Sequence, residues 1–181
     1  VRAIARMFNR KIKPPDVLLD IDANETRMRQ VKLDRYRYLH FATHADGTGN
    51  LGIVNEPFIL LGQVENRHPD DGLLTLSEVL TLELNADLVV LSACTTGIGK
   101  HVTGEGVNNF AYAFHCAGAR GVVVSLWEVA SKQTAEFMEY FYSKLSQGKS
   151  KLEALAFARE QTRKSYPHPF FWAPFILYGE N

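Results

Sequence analysis

The sequence predicts an α/β sandwich with a largely parallel sheet. Short apolar runs alternate with amphipathic stretches, which is the pattern of strands that alternate with helices. Two of the runs, residues 88–92 and 121–126, are almost continuously apolar, as in strands that are covered on both faces of a parallel sheet. Ligands of such sheets bind at the carboxyl ends of the strands, so the residues that follow strands are the first candidates for a site.

The other elements are expected in order along the chain. Strands are expected at residues 16–21, 36–41 and 58–61, and the aromatic run 170–178 is expected to end in another strand. Asn24 is the expected N-cap of a short helix. Thr75 with Glu78, and Ser150 with Glu153, have capping-box spacing and are expected to begin two further helices.

Two more helices are predicted from their apolar stripes. The first covers residues 106–116 and ends at Gly118, and the second begins after Ser131 as its N-cap and ends at Gly148. We expect residues 1–181 to form one domain. Because the first residue is Val1 and not Met, we also expect an upstream portion of the full-length protein to be missing.

The composition excludes several functional classes. The 181 residues are 46% hydrophobic, which is enough for one core. Acidic and basic side chains balance at 20 each, so no net charge attracts nucleic acid or an anionic membrane. No apolar stretch approaches the roughly 20 residues of a membrane span, and no secretion signal is recognisable. Two cysteines are too few for a disulfide framework and fit a reducing compartment.

Two predicted strands are followed at once by reactive residues. The strand at 36–41 leads to His44, and the strand at 88–92 leads to Cys94. If the strands are parallel, both residues lie at the same edge of the sheet. They are 50 residues apart (94 − 44), with a small residue before the cysteine and a glycine soon after it. Caspase-type peptidases have this spacing between base and nucleophile.

This pair of residues suits nucleophilic catalysis by a dyad. A free thiol has a pKa of about 8.5, so little of it is thiolate at neutral pH. A neighbouring imidazole takes the proton during attack and later protonates the leaving amine. We therefore expect Cys94 as nucleophile and His44 as base, with no third acid. The backbone amides of Cys94 and Ala45 are the expected oxyanion donors, and the chemistry requires no cofactor and no metal.

Five segments resemble one family in its own order. They are LHFATHA (39–45), ADLVVLSACTTG (86–97), GEG (104–106), AGARGVVVSLW (117–127) and HPFFWAPFILYG (168–179). On them the chain resembles the CHAT domain family, caspase- and separase-like cysteine peptidases of clan CD that are often fused to tetratricopeptide repeats. The resemblance implies a caspase-like three-layer sandwich with helices on both sides of a mostly parallel sheet. It also implies cleavage of a protein or peptide substrate by Cys94 and His44.

The resemblance further implies a bacterial, cytoplasmic protein with a regulatory partner or a fused repeat domain, and no direct contact with nucleic acid or membrane. The residues expected to shape the substrate cleft are Ser125, Leu126, Trp127 and Glu128. The chain departs from the family in two places. Ala45 stands where the family usually has glycine, and residues 127–130 read Trp-Glu-Val-Ala where the family often has Trp-Pro-Val-Asp. Either Glu128 replaces the missing acid, or the pocket is apolar, which we favour.

Three other readings compete with the peptidase. The glycine-rich stretch 97–106 resembles a phosphate cradle, but it fits neither the dinucleotide nor the P-loop pattern. A zinc site from His44, Cys94 and His101 lacks the paired spacing of structural zinc sites. The main alternative is a catalytically inactive CHAT-like interaction platform that keeps the pair by descent.

Three smaller expectations complete the prediction. Cys116 is expected on the buried side of its helix, as a structural thiol. His40 is expected to be a packed residue on its strand, pointing away from Phe41. The polar loop at residues 98–103, next to the nucleophile, is expected to be mobile and to gate the cleft.

Overall fold

The computed structural model describes residues 1–8, 16–46, 54–92, 94–95 and 105–181, with residues 94, 95 and 105–108 described by their backbone. The helices are α1 Arg2–Phe8, α2 Glu25–Gln30, α3 Leu76–Leu80, α4 Glu105–Cys116, α5 Ser131–Leu145 and α6 Lys151–Ser165. The strands are β1 Tyr38–Phe41, β2 His44–Asp46, β3 Phe58–Leu60, β4 Leu73–Thr75, β5 Leu88–Leu91, β6 Cys94–Thr95, β7 Gly121–Ser125 and β8 Phe175–Gly179.

The chain divides into two compact units. We call the first the site unit, which contains Leu18–Glu128 and Tyr178–Glu180. The second, the helical unit, contains Val1–Val17, Val129–Leu177 and Asn181.

A mostly parallel main sheet forms the core of the site unit. Within this unit β5 lies between β1 and β7 and is parallel to both. Every residue of β5 and β7 is buried, as their continuous apolar character predicts. Helix α4 packs against this sheet, with the rings of Phe41 and Phe114 5.6 Å apart. The predicted α/β class with a mostly parallel sheet is confirmed.

A small second sheet lies in the same unit, in the order β4-β3-β2-β6. Strand β3 is antiparallel to β2 and β4, whereas β2 and β6 are parallel. Strands β2, β4 and β6 were not predicted, because each has only two or three residues and none is a wholly apolar run such as the one that indicated β3. His44 and Cys94 therefore lie in short strands rather than in the loops that the sequence suggested.

The strand predicted at residues 16–21 is wrong. Asp20–Asp22 forms a single 3-10 turn, and Asp20 has a left-handed φ of 52°. A left-handed residue interrupts an extended run, and aspartate tolerates this conformation better than most residues do. The predicted cap that follows is confirmed, since the Asn24 side chain accepts a hydrogen bond from the Arg27 backbone N–H at 2.9 Å.

An ion network centred on a buried carboxylate holds α2 against the turn that enters β4. Glu25 is fully buried and accepts hydrogen bonds from the backbone N–H groups of Asp71 (3.1 Å) and Gly72 (3.0 Å). It also pairs with Arg29 at 2.7 Å, and the Arg29 guanidinium bonds Glu78 as well. Because β4 pairs with β3, and β3 with β2, the network supports the sheet that carries His44.

We expect Glu25→Ala to lower the free energy of unfolding by about 2–4 kcal/mol, because it leaves the buried Gly72 amide, the part-buried Asp71 amide and the Arg29 guanidinium without this acceptor. Urea unfolding measures the loss. Glu160→Ala is the matched control, since Glu160 is an exposed partner of Lys164, and it should cost less than about 0.5 kcal/mol. Equal losses in the two variants would show that the buried carboxylate is not a support of this sheet.

The helical unit contains α1, α5 and α6. Ser150 and Glu153 form the predicted capping box at the start of α6. The predicted Ser131 cap is wrong: Ala130 is the N-cap of α5 and has no side-chain hydrogen bond, so Ser131 is the first helical residue. The core is aromatic, and the rings of Phe137 and Phe175 stack 4.3 Å apart.

Candidate active site

His44 and Cys94 are paired by their backbones. They are Cα partners in the parallel pair β2–β6, and Ala45 and Thr95 form the next pair. His44 is exposed, whereas the two residues that follow it in β2 are buried. The structure thus brings the two predicted reactive residues to the same level of neighbouring strands. Ala93, which precedes Cys94, lies outside the described residues.

The strands β1 and β5 of the main sheet position the two segments that contain His44 and Cys94. Phe41 and Leu91 are the last paired residues of β1 and β5, and the chain reaches His44 three residues after the first and Cys94 three after the second. At this level the Ser92 backbone N–H donates to the Phe41 carbonyl at 3.0 Å. The two segments therefore leave the sheet side by side, as parallel pairing of the strands predicts.

A polar side-chain pair lies at the ends of the two strands that lead to the reactive residues. His40 Nε2 is 2.9 Å from the Ser92 hydroxyl, which lies 3.3 Å from the Phe41 carbonyl oxygen. His40 is half-buried, but its imidazole lies deep enough that the loss of water lowers its pKa to about 3. The ring is therefore neutral near pH 7. The prediction of a packed His40 holds, but the sequence offered no sign of its partner.

The segment between β1 and β2 is anchored on its other side. The Thr43 hydroxyl donates to the Leu60 carbonyl of β3. Ala45 is 3% exposed and lies in β2, which has β3 on one side and β6 on the other. Cys94 lies in β6, an edge strand of this sheet among the described residues. The assignment of the Ala45 and Cys94 amides as oxyanion donors stays a prediction.

Asp46 is a buried acid that was not predicted from the sequence. It follows His44 by two residues in β2 and is 1% exposed. Successive side chains of a strand point to opposite faces, so residues two apart share a face. The signal was present as the spacing of a histidine and an aspartate, but it has this meaning only once the three residues are known to form a strand.

The predicted cleft residues follow β7, the neighbour of β5. Ser125 is buried and its hydroxyl donates to the Trp127 carbonyl at 2.7 Å, so it shapes the turn after the strand. Leu126 and Trp127 are half-buried, and Glu128 is exposed. These residues lie at the carboxyl end of the main sheet, at the edge from which the β1 and β5 segments also depart. Their role in binding substrate stays a prediction.

Several predicted features fall outside the described residues. Residues 96–104 include the proposed gating loop at 98–103, His101 of the zinc alternative and most of the glycine-rich stretch. Within the residues that the structure does describe, no three histidine, cysteine or acidic side chains gather as metal ligands. None of the helices in the same residues has the length and apolar character to span a bilayer.

The predicted burial of Cys116 is wrong. This thiol is exposed, on the same face of α4 as Tyr112, which is 69% exposed. The buried stripe of the helix passes instead through Phe110, Ala113 and Phe114. A hydrogen bond with the Cys116 thiol raises the pKa of the Tyr112 hydroxyl. Cys116 is thus a surface thiol in the same chain, which is useful as a reference for Cys94.

Comparison with known proteins gives relatives of one kind. The chain is 40% identical over 111 residues to tetratricopeptide repeat protein 28 of Homo sapiens, and 38% identical over 111 residues to that of Mus musculus. The matched stretch covers 60% of this chain and 4% of each relative. Both relatives are mammalian, so a bacterial origin is not supported by them.

A model of the CHAT domain family matches residues 1–180, nearly the whole chain. The match agrees with the α/β architecture and with the segments that carry the resemblance. The relatives also agree with the fusion to tetratricopeptide repeats that the resemblance implies. The chain therefore belongs to the CHAT domain family.

Proposed function

We propose that the chain is a cysteine endopeptidase in which Cys94 attacks the substrate carbonyl and His44 transfers the proton. The observation that carries this proposal is the register of β2 and β6, in which the two residues are Cα partners. Neighbouring strands lie about 4.8 Å apart, which is short enough for an imidazole and a thiol to share a proton. The exposure of His44 supports the proposal, because the base must be open to the substrate.

The reaction follows the chemistry of the two groups. His44 accepts the thiol proton as the Cys94 sulfur bonds to the scissile carbonyl carbon, and backbone amides bind the oxyanion. The C–N bond breaks as His44 gives the proton to the leaving amine, which leaves a thioester on Cys94. A water molecule, deprotonated by His44, hydrolyses the thioester and releases the acid product together with the free thiol.

The substrate side of the site is proposed from the turn after β7. Leu126 and Trp127 would form an apolar wall for the residue before the cut, and the exposed Glu128 would lie at its rim.

Since both relatives are named for tetratricopeptide repeats, we also propose that a repeat domain, fused or separate, regulates the peptidase. A cytoplasmic location is also proposed, because two cysteines in 181 residues fit a reducing compartment.

An inactive interaction platform is the second candidate, and one observation favours it. Ala45 lies in a strand with neighbours on both sides, where backbone amides are ordinarily used by the sheet. An amide used in this way does not bind an oxyanion, and the site would then have one oxyanion donor fewer.

The test is the rate of alkylation of Cys94 by iodoacetamide at pH 6, read by peptide mapping with Cys116 as the internal reference. A dyad raises the thiolate fraction of Cys94, so we expect it to react about tenfold faster than Cys116 after allowance for its lower nucleophilicity. In His44→Ala this advantage should disappear while Cys116 is unchanged. Equal rates at Cys94 in the wild type and in His44→Ala would overturn the dyad and favour the platform.

A further inference from the structure

One cluster of hydrogen bonds joins the two segments that carry the candidate catalytic residues. The Ser92 backbone N–H and hydroxyl lie 3.0 and 3.3 Å from the Phe41 carbonyl oxygen, and His40 Nε2 lies 2.9 Å from the same hydroxyl. His40 precedes His44 by four residues, and Ser92 precedes Cys94 by two. The cluster therefore lies where both segments leave the main sheet.

The hydrogen bonds form a chain in one direction if His40 carries its proton on Nε2. The Nε2–H group then donates to the Ser92 oxygen, and the Ser92 O–H donates to the Phe41 carbonyl. This tautomer is assigned from the network, because it is the one in which the single hydroxyl proton serves both contacts. These hydrogen bonds connect the His40 side chain of β1 to Ser92, the first residue after β5. They also connect Ser92 to the main chain of β1 at Phe41.

We propose that His40 and Ser92 form a positioning pair that sets the spacing of His44 and Cys94. The proposal rests on the proposed function, because the pair would act on catalysis only through the dyad. Ser92 is 9% exposed, and a hydrogen bond in such surroundings resists displacement by water. His44 and Cys94 follow the pair by only four and two residues, so a shift of either strand end would displace the reacting groups, and catalytic rates depend on small displacements.

An imidazole at this place is poorly explained by packing alone. A buried polar ring costs free energy unless it is hydrogen-bonded, so an apolar side chain would serve a purely structural role better. Burial also keeps His40 uncharged, since its pKa is lowered to about 3. A neutral ring can hold Ser92 without adding a positive charge next to a thiolate and an imidazolium. These properties suit a group that positions the dyad without competing with it.

The experiment uses the chain with four changes: His40→Leu, Ser92→Ala, their combination, and His40→Gln. The Gln amide replaces the Nε2–H donor, whereas Leu removes it. The readout is the pH profile of Cys94 alkylation relative to Cys116, with the melting temperature of each variant recorded. We expect His40→Leu and Ser92→Ala each to slow Cys94 at pH 6 by about fivefold, the factor expected for one lost hydrogen bond.

The combined variant should be no slower than either single change, because both remove the same interaction. His40→Gln should retain most of the wild-type rate, which a purely structural loss of the histidine would not allow. If His40→Leu fails to fold, Ser92→Ala and His40→Gln still decide the question. Any of three results would overturn the proposal. The first is a wild-type pH profile in the folded His40→Leu or Ser92→Ala variant, and the second is a combined variant whose loss of rate is the sum of the two single losses. The third is a His40→Gln variant that reacts as slowly as His40→Leu.

The two proposals fail in distinguishable ways. If wild type and His44→Ala give the same profile, the dyad itself is absent, and the positioning pair is overturned with it. If His44→Ala slows Cys94 but the His40 and Ser92 variants do not, the dyad stands and the positioning role alone is wrong.

Discussion

Cys94→Ala is expected to lower peptide hydrolysis by at least about 10⁴-fold, because removal of the nucleophile leaves only substrate binding and oxyanion contacts. The measurement is digestion of a denatured protein mixture, with new N-termini mapped by mass spectrometry. The wild type should give cleavage sites that are missing with the variant. The residues before these cuts also test the proposed pocket, since an apolar wall predicts apolar residues and a dominant Glu128 predicts basic ones.

The matched control for this prediction is Cys116→Ala. Cys116 is the surface thiol of α4, and its loss should leave cleavage unchanged. The melting temperatures of the wild type and both variants should agree, so that any loss of cleavage belongs to the thiol. Cleavage that survives in Cys94→Ala would contradict the assignment of the nucleophile, and loss of cleavage in Cys116→Ala would place the active thiol on α4.

Gly118→Ala is expected to lower the free energy of unfolding by at least about 3 kcal/mol, through backbone strain and a steric clash. Gly118 has a φ of +109°, and a Cβ atom there would lie 2.2 Å from the Leu84 carbonyl oxygen. The two segments cannot move apart without loss of a hydrogen bond, because the Leu84 N–H donates to the Ala117 carbonyl at 2.8 Å. Urea unfolding measures this loss of stability, which arises in the turn between α4 and β7.

Gly148→Ala separates the two causes. Gly148 also has a left-handed φ, +79°, but among the residues that the structure describes no atom beyond its chain neighbours lies within 4 Å of a Cβ built there. This variant should lose only about 1 kcal/mol, the cost of a left-handed conformation for a residue with a side chain. A loss at Gly118 no larger than the loss at Gly148 would show that the chain relaxes around the new methyl group.

The main sheet could be predicted from sequence because its strands carry their own signals. The runs that became β5 and β7 are continuously apolar, and only strands covered on both faces combine that character with so short a length. The caps are equally local. Thr75 with Glu78 and Ser150 with Glu153 satisfy backbone groups within three residues of themselves, so the spacing alone predicts the helix start.

The predictions from sequence were wrong where contacts with residues distant in the chain decide the local conformation or the burial of a side chain. Residues 16–21 contain a short apolar run that suggested a strand, but Asp20 has a left-handed φ and the run forms no strand. Cys116 is apolar in character, yet the buried face of α4 passes elsewhere. A helix has two faces, and the sequence of a weakly patterned last turn does not say which one meets the sheet.

The sequence by itself determined the family and the order of the main elements, and it singled out His44 and Cys94 as candidates, since all of these depend on local patterns and on a spacing along the chain. Only the tertiary structure brought out the register of β2 and β6, the buried Asp46 and the bond between His40 and Ser92. These are relations between residues 50 or so positions apart, or between a residue and its solvent. No local pattern records them, because backbone pairing and burial are set by the packing of the whole unit.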